Sequence, residues 1–212
     1  MANGLFITLE GIEGSGKSTQ AATLVARLRA AGREVVATRE PGGTPTGEMI
    51  RDILQHHKSR EAIAERTEAL LFAASRAQHV GTVIRPALDR GAVVVCDRFL
   101  DSTLAYQGYG RGMNLEDLLR INRFAVHDTL PDLTLLFDLD VSSALSRLRR
   151  RHEDQSVVAD RFEKETEAFH QRVRDGFLVL AGKEPGRYRK IDATLAAEAQ
   201  AVTVWTLVSP LV

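Results

Sequence analysis

Residues 11–18 of the chain match the spacing G-x-x-x-x-G-K-[ST] at every fixed position. Glycines in such a loop permit backbone angles that turn successive N–H groups toward a polyphosphate. Lys17 can reach the outer phosphates, and the hydroxyl of Ser18 can bind Mg²⁺. Because an apolar, β-branched run precedes the loop and a helical pattern follows it, the segment predicts a nucleoside triphosphate site. The residues predicted to surround the triphosphate are Gly11, Ile12, Glu13, Gly14, Ser15, Gly16, Lys17, Ser18 and Thr19.

A second segment whose side chains could take part in chemistry begins where the apolar run of residues 93–96 ends in Asp97. A carboxylate in that position usually holds Mg²⁺, directly or through water, so the run has the character of a Walker B strand. Arg98 follows, and residues 99–108 then combine aromatic, hydroxyl and amide side chains that suit a pocket for a base and a sugar. Taken alone, residues 99–108 fit a polar loop equally well.

Residues 38–44, TREPGGT, contain a proline and two glycines between charged and hydroxyl residues. We predict a turn-rich loop that carries Arg39 into a cleft. An ordinary solvated loop fits this composition equally well.

The arginine-rich residues 147–151 precede a polar stretch, residues 152–156. Three interpretations are open: a charged helix face that runs into a flexible loop, a nucleic-acid surface, and a mobile lid whose arginines close over a transferring phosphoryl group. Equal numbers of basic and acidic side chains, 28 of each, and the absence of interleaved aromatic residues weaken the second. In a chain with a triphosphate site we favour the lid, at about residues 149–160. The arginines concerned are Arg147, Arg149, Arg150 and Arg151.

The elements that must position these segments are apolar strand candidates that alternate with helical patterns. Such alternation predicts a parallel sheet covered by helices on both faces. Ligands of these sheets bind beyond the carboxyl ends of the strands, and the residues at those ends are charged here. The five predicted strands are residues 5–9, 35–38, 92–96, 133–139 and 188–191.

A long helical pattern runs from about residue 62 to residue 88, and Pro86 should end or bend it. Phe72 and Arg76 are four residues apart and share a face of this helix. Such a pair is more often a core residue and a surface cation than a ligand site. Small residues on the helix would also permit close packing of a partner helix, although core packing is the default interpretation.

The length of 212 residues suits one domain with a sizeable core. The balanced charge leaves no net field that would recruit nucleic acid or an anionic membrane, and no apolar stretch is long enough to span a bilayer. Cys96, the single cysteine, lies in an apolar run and is expected to be a core residue in a reducing compartment. Because the N-terminus also lacks a signal-peptide pattern, we expect a cytoplasmic protein without nucleic-acid or membrane partners.

The segments occur in one order with LLFAASR in the long helix, DRFLDSTLAYQG after the third strand and DRFE at the end of the lid. Together they closely resemble bacterial thymidylate kinases, of the nucleoside monophosphate kinase group. The resemblance extends from Leu5 to about Ala193, and DRFLDSTLAYQG is its most specific part, whereas the phosphate loop alone fits many ATPases and GTPases. It implies an α/β P-loop NTPase fold and transfer of the γ-phosphoryl group of ATP to dTMP, giving dTDP for dTTP synthesis. It also implies Mg²⁺ and a homodimer packed through long helices.

Carried over residue by residue, the resemblance assigns the acceptor site. Phe72 would stack on thymine, and Arg76 and Gln107 would address the edges of the base. Glu13 would contact the sugar 3′-hydroxyl, and Tyr106 would lie under the sugar and disfavour ribose. The residues assigned to the acceptor phosphate and its surroundings are Arg39, Arg51, Arg98, Thr103 and Asp160.

The donor site follows in the same way. Adenine would lie between the Arg147 region and the loop that contains Asp192, and Glu163 would join Ser18 and Asp97 at Mg²⁺. Glu13 occupies a position where some thymidylate kinases carry a catalytic arginine, so that cation should come from the lid, which is shorter than usual. The residues assigned to catalysis are Lys17, Arg98, Arg149, Arg150 and Arg151.

Other functions fit the sequence less well. A P-loop kinase for another nucleotide or small-molecule acceptor, the alternative, should lack the set Phe72, Arg76, Tyr106 and Gln107. A GTPase should carry an Asn-Lys-x-Asp motif, which is absent from the sequence. A nucleic-acid-stimulated ATPase would need a basic tract, and only the lid offers one.

Overall fold

The apolar runs form one five-stranded parallel sheet, as their alternation with helical patterns predicts. The computed structural model describes residues 4–56, 61–155 and 160–212. The strands are Leu5–Glu10 (β1), Val35–Arg39 (β2), Val93–Asp97 (β3), Leu133–Asp138 (β4) and Tyr188–Asp192 (β5). Each strand lies within one residue of its predicted bounds. The strand order is β2-β3-β1-β4-β5, and the three central strands are nearly continuous buried runs, which is typical of strands covered on both faces.

Helices cover the sheet, and a short 3₁₀ turn, Ser209–Leu211, follows the last of them. Side chains cap several helices at their N-termini. Thr44 accepts from the amide of Gly47, Asn114 from those of Glu116 and Asp117, Asp140 from that of Ser143, and Thr166 from that of Phe169. Among the described residues, no helix combines the length and the apolar character that crossing a membrane requires. The helices are Lys17–Ala30 (α1), Pro45–His56 (α2), Glu65–His79 (α3), Arg85–Asp89 (α4), Leu100–Thr103 (α5), Leu115–Val126 (α6), Val141–Gln155 (α7), Glu167–Lys183 (α8) and Ala197–Val208 (α9).

Two helices pass into widened π-helical turns. The turn Val80–Ile84 joins α3 to α4 directly ahead of Pro86, whose missing N–H and bulky ring are incompatible with a regular α-helical bond. The predicted end or bend therefore lies at this turn.

The second turn, Leu104–Gly110, continues α5. It is almost entirely buried and carries Tyr106 and Gln107, and π turns of this kind are frequent at functional sites.

The register of the sheet brings the chemically important strand ends to one edge. Arg39, the last residue of β2, lies opposite Asp97, the last residue of β3. Asp97 also lies opposite Leu9 of β1, two residues before the phosphate loop begins at Gly11. The arginine, the carboxylate and the loop therefore meet beyond the carboxyl ends of the central strands, where ligands of parallel sheets bind.

Candidate active site

A cavity of about 380 Å³ opens at this edge of the sheet. Its wall consists of the phosphate loop, the ends of β2 and β3, parts of α2, α3 and α7, the second π turn and residues 160–163. The predicted site residues that line it are Glu13, Gly14, Gly16, Lys17, Ser18, Thr19, Arg39, Arg51, Phe72, Asp97, Arg98, Thr103, Tyr106, Gln107, Arg147, Arg151, Asp160 and Glu163. The predicted residues that do not line it are Gly11, Ile12, Ser15, Arg76, Arg149, Arg150 and Asp192.

Lys17 lies buried at the start of α1, and the phosphate loop itself holds its ammonium group. Nζ donates to the carbonyl oxygen of Ile12 at 2.8 Å and lies 3.3 Å from Ser15 Oγ. Burial and the nearby charge of Arg98 lower the pKa of Lys17 to about 8. The negative charge of a polyphosphate on the loop would favour the protonated form again, so the amino group is placed to bind the outer phosphates.

Ser18 and Asp97 supply the oxygen atoms best placed for Mg²⁺. The Ser18 hydroxyl donates to Asp97 Oδ2 at 2.5 Å on the cavity wall. These oxygens fit Mg²⁺, which keeps several waters and takes other ligands from phosphates. Within residues 4–56, 61–155 and 160–212, no three His, Cys, Asp or Glu side chains are grouped as a metal site. Glu163, predicted as a third ligand, also lines the cavity, where its carboxylate pairs with Arg151 and His152.

Arg98 follows β3 directly and has φ of 71°, a backbone region that residues other than glycine rarely adopt. Nη1 donates to the carbonyl oxygen of Gly11 at 2.9 Å and to Ser102 Oγ at 3.1 Å, and Nη2 donates to Glu13 Oε1 at 3.0 Å. The guanidinium carbon lies 5.0 Å from the ring centroid of Tyr106. Strained backbone persists only where its surroundings hold it, so Arg98 is a preorganised cation between the phosphate loop and the aromatic part of the cavity.

The Glu13 carboxylate, which accepts a hydrogen bond from Arg98, is a charged acceptor on the cavity wall. Oε1 also accepts from the Tyr106 hydroxyl at 2.6 Å, and Oε2 lies 3.6 Å from His170 Nδ1. Burial would raise the pKa of Glu13, but Arg98, His170 and Lys17 together hold it well below its usual range. An ionised carboxylate beside a tyrosine can accept a hydrogen bond from a sugar hydroxyl.

Three aromatic rings form the apolar part of the cavity wall. The ring centroid of Phe162 lies 5.8 Å from that of Phe72 and 6.0 Å from that of Tyr106. Such a set can stack on a planar base. Sequence reasoning missed Phe162, and the available signal was an aromatic residue between two charged ones, directly after the lid.

Arg76 lies in the buried interior behind the cavity, with only 1% of its surface exposed. Nε donates to Glu40 Oε2 at 2.8 Å, Nη1 to Asn122 Oδ1 at 2.6 Å and Nη2 to the carbonyl oxygen of Phe99 at 3.2 Å. A buried guanidinium must be paired, and Glu40 of the TREPGGT segment supplies the charge. Arg76, predicted to address a base edge, thus bonds to acceptors within the protein and does not line the cavity.

The remaining acceptor-site residues, Arg39, Arg51, Thr103 and Asp160, also line the cavity, and Thr103 is buried there. Arg39 pairs with Glu48 at 2.9 Å while 55% of its side chain is exposed, and Arg51 donates to the carbonyl oxygen of Pro41 at 2.9 Å. Asp160 Oδ1 accepts from the amides of residues 162 and 163 at 2.8 and 2.9 Å. Asp160 thus orders the turn that carries Phe162, in addition to lining the cavity.

Two of the four lid arginines face the cavity. Arg147 and Arg151 are four residues apart, so they share one face of α7 and line the wall. Arg149 and Arg150 lie on the exposed face of the same helix. Of the three arginines predicted as candidates for catalysis, Arg151 is the one that lines the cavity.

The predicted adenine loop lies beside Arg147. Arg147 Nη2 donates to the carbonyl oxygen of Ala193 at 2.9 Å. Asp192 is exposed and accepts from the amide and hydroxyl of Thr194 at 2.9 and 2.6 Å. Asp192 therefore shapes the loop and does not line the cavity.

Comparison with known proteins decides the family. The family model described as thymidylate kinase matches residues 9–202. The chain belongs to the thymidylate kinase family. The thymidylate kinase of Thermomicrobium roseum is 50% identical over 96% of this chain and 94% of its own length. That of Pseudomonas fluorescens is 55% identical over 90% of this chain and 88% of its own. The crystal structure of thymidylate kinase from Ehrlichia chaffeensis is similar with a TM-score of 0.78 and 33% identity, covering 97% of this chain and 99% of that one.

Membership of the thymidylate kinase family confirms the predicted P-loop NTPase fold and the predicted phosphotransferase class.

The structure adds a buried support for Arg98 that no motif predicted. Glu10 Oε1 accepts from the amide of Phe99 at 2.8 Å, and Oε2 accepts from Ser102 Oγ at 2.6 Å. Burial and the neighbouring Asp101 raise the pKa of Glu10 to about 8. The available signal was a carboxylate at the exit of a central strand.

Proposed function

We propose that this protein transfers the γ-phosphoryl group of ATP to dTMP, giving ADP and dTDP for dTTP synthesis. One observation carries the proposal: a single cavity joins the phosphate loop with Lys17 to an aromatic pocket with Phe72 and Gln107. Arg98 contacts both parts, through Gly11 and through the Tyr106 ring. Family membership supports the same acceptor. The alternative, another nucleotide or small-molecule acceptor, has no such support.

In this proposal the phosphate loop and the N-terminus of α1 hold the triphosphate, with Lys17 on its outer phosphates. Ser18 and Asp97 would hold Mg²⁺, which would neutralise charge on the phosphate oxygens. The adenine lies between Arg147 and the loop after β5. The cavity-facing Arg151 completes the set of cations around the transferring group.

The acceptor is held by its base, its sugar and its phosphate. The base stacks on Phe72 and meets Gln107 at its edge, and the 3′-hydroxyl donates to Glu13 beside Tyr106. Arg39 and Arg98, with Arg51 and Thr103 nearby, hold the acceptor phosphate in line with the γ-phosphorus, because a guanidinium fixes orientation as well as charge. No catalytic base is needed, since a monophosphate is already ionised near neutral pH, its second pKa being about 6.

The order of acceptors tests this assignment. Stacking tolerates any pyrimidine and the 5-methyl group supplies only about 1–3 kcal/mol, so dUMP is expected to be a poor but detectable acceptor. The compound dCMP, which presents the opposite hydrogen-bonding pattern at N3 and C4, is expected to be rejected much more strongly. A coupled assay of ADP formation with dTMP, dUMP, dCMP and the ribonucleotide TMP measures this. A preference for dCMP over dTMP would exclude the assignment.

The orientation of α7 predicts which lid arginine acts in catalysis. Arg151→Ala is expected to lower kcat by about tenfold or more with little change in the KM for dTMP, because a cation that meets the phosphoryl group mainly in the transition state affects kcat. The matched controls Arg149→Ala and Arg150→Ala, on the exposed face, are expected to change kcat less than about twofold. If all three substitutions together leave kcat unchanged, the lid covers the cavity but does not supply the catalytic cation.

Further parts of the proposal concern organisation. Residues 1–212 would form one P-loop kinase domain with a lid at about residues 149–160, of which residues 156–159 lie outside the described residues. A homodimer would pack through α3 and α6, which contact each other and expose Leu70, Leu119 and Phe124, the last with 88% of its surface accessible. The cytoplasmic location and the absence of nucleic-acid and membrane partners stay predictions.

A further inference from the structure

Glu68 of α3 is a buried carboxylate, 1% exposed, that no motif singled out. Oε1 accepts from Gln107 Nε2 at 2.8 Å, and Oε2 pairs with Arg161 Nη1 at 2.6 Å. Arg111 approaches both carboxylate oxygens at 3.4 Å. The donors come from the second π turn, from the residue after it and from the segment after the lid, so Glu68 joins parts of the cavity wall that the chain does not connect locally.

The hydrogen bond with Glu68 determines whether the NH₂ group or the oxygen of the Gln107 side-chain amide faces the carboxylate. A carboxylate flanked by two guanidinium groups acts as an acceptor on both oxygens, so the amide must turn its NH₂ group toward it. The main-chain oxygen of Gln107 accepts from the amide of Met113 at 3.1 Å. Among the described residues, the side-chain hydrogen bond of Gln107 is the one that Nε2 donates to Glu68, which leaves the side-chain oxygen Oε1 available. Because Gln107 lines the cavity, this oxygen is the polar atom that it can present to a base.

We propose that Glu68 is a positioning residue that fixes the Gln107 amide with its oxygen toward the base, and thereby selects bases that carry a hydrogen at N3. Thymine and uracil have an N3–H donor, whereas N3 of cytosine is an acceptor and would face the amide oxygen unpaired. A buried polar group without a partner discriminates strongly. This inference rests on the proposed function and extends it by naming what enforces the choice of base.

The test compares kcat/KM for dTMP, dUMP and dCMP in the wild-type protein and in Glu68→Gln. A glutamine at position 68 offers both a donor and an acceptor, so the Gln107 amide can turn over. The ratio of dTMP to dCMP is expected to fall by about tenfold or more, while the ratio of dTMP to dUMP stays unchanged because both bases carry N3–H. A purely structural role would lower all three activities together and leave both ratios unchanged, which would overturn the inference.

Glu165→Gln is the matched control. Glu165 pairs with Arg111 at 2.6 Å but has no described contact with Gln107, so its removal weakens the same cluster without freeing the amide. The dTMP to dCMP ratio of this variant is expected to equal that of the wild type. A fall equal to that in Glu68→Gln would show that general loosening, and not the amide, sets the ratio.

Two further variants keep the test decisive. Thermal unfolding shows whether the Glu68→Gln protein is folded. If it is not, Glu68→Asp replaces it, because aspartate keeps the charge but withdraws the carboxylate from Gln107. The same fall in the dTMP to dCMP ratio is expected for Glu68→Asp. In a Gln107→Met background, a substitution at Glu68 is expected to change the ratio no further.

A wild-type protein that does not phosphorylate dTMP overturns the proposed function and this inference with it. A wild-type protein that does, with the ratio unchanged in folded Glu68 variants, overturns this inference alone.

Discussion

Replacing Lys17 by alanine is expected to lower kcat by about 10²–10³-fold or more while the fold stays intact. The ammonium group is the cation of the phosphate loop, and loss of one oriented charge at a transferring phosphoryl group has an effect of this size. The fold should persist because the lost contacts are two hydrogen bonds within the loop, to Ile12 and Ser15. Steady-state assays of ADP formation with dTMP, together with circular dichroism, measure both parts.

Lys183→Ala is the control for Lys17→Ala. Lys183 lies exposed in the last turn of α8, so its loss removes the same charge without reaching the cavity, and near-normal activity is expected. A folded Lys17→Ala protein that retains near-normal turnover would exclude phosphoryl transfer at this loop.

Arg98→Ala is expected to reduce kcat/KM for dTMP by about 10³-fold, with a lower kcat and a higher KM. Its guanidinium is held by Gly11, Ser102 and Glu13, so it meets the acceptor phosphate already oriented. Arg98→Lys keeps the charge but lacks the planar fork, and a large loss is expected here too. Measurements of kcat and KM need a direct titration of dTMP beside them, because KM equals the dissociation constant only when chemistry is slow.

Arg39→Ala provides the comparison within the same binding site. Its side chain is 55% exposed at the rim, so we expect a substantial rise in the KM for dTMP and a much smaller change in kcat. Equal effects of Arg39→Ala and Arg98→Ala on kcat would contradict the distinction between a rim residue that binds dTMP and a central one that also stabilises the transition state.

The sequence by itself determined the sheet, the phosphate loop and the general position of the site. Every strand lies within one residue of its prediction, since apolar runs bounded by charged residues and glycines are local properties of the chain. The rule that ligands bind beyond the carboxyl ends of parallel strands then brought Lys17, Asp97 and Arg98 to one edge. The family resemblance added the acceptor residues, most of which the structure places on the cavity wall.

Only the tertiary structure decided the direction and partners of several charged side chains. Arg76 shares a helix face with Phe72, yet its guanidinium is buried against Glu40, Asn122 and the carbonyl oxygen of Phe99. Glu163 lines the cavity, as Asp97 does, and pairs with Arg151 and His152. The physical reason is that a buried charge must find a counter-charge or hydrogen-bond partners, and these partners come from elements distant in the sequence. Local spacing predicts the face on which a side chain starts, whereas packing of the whole chain decides where its charged end lies.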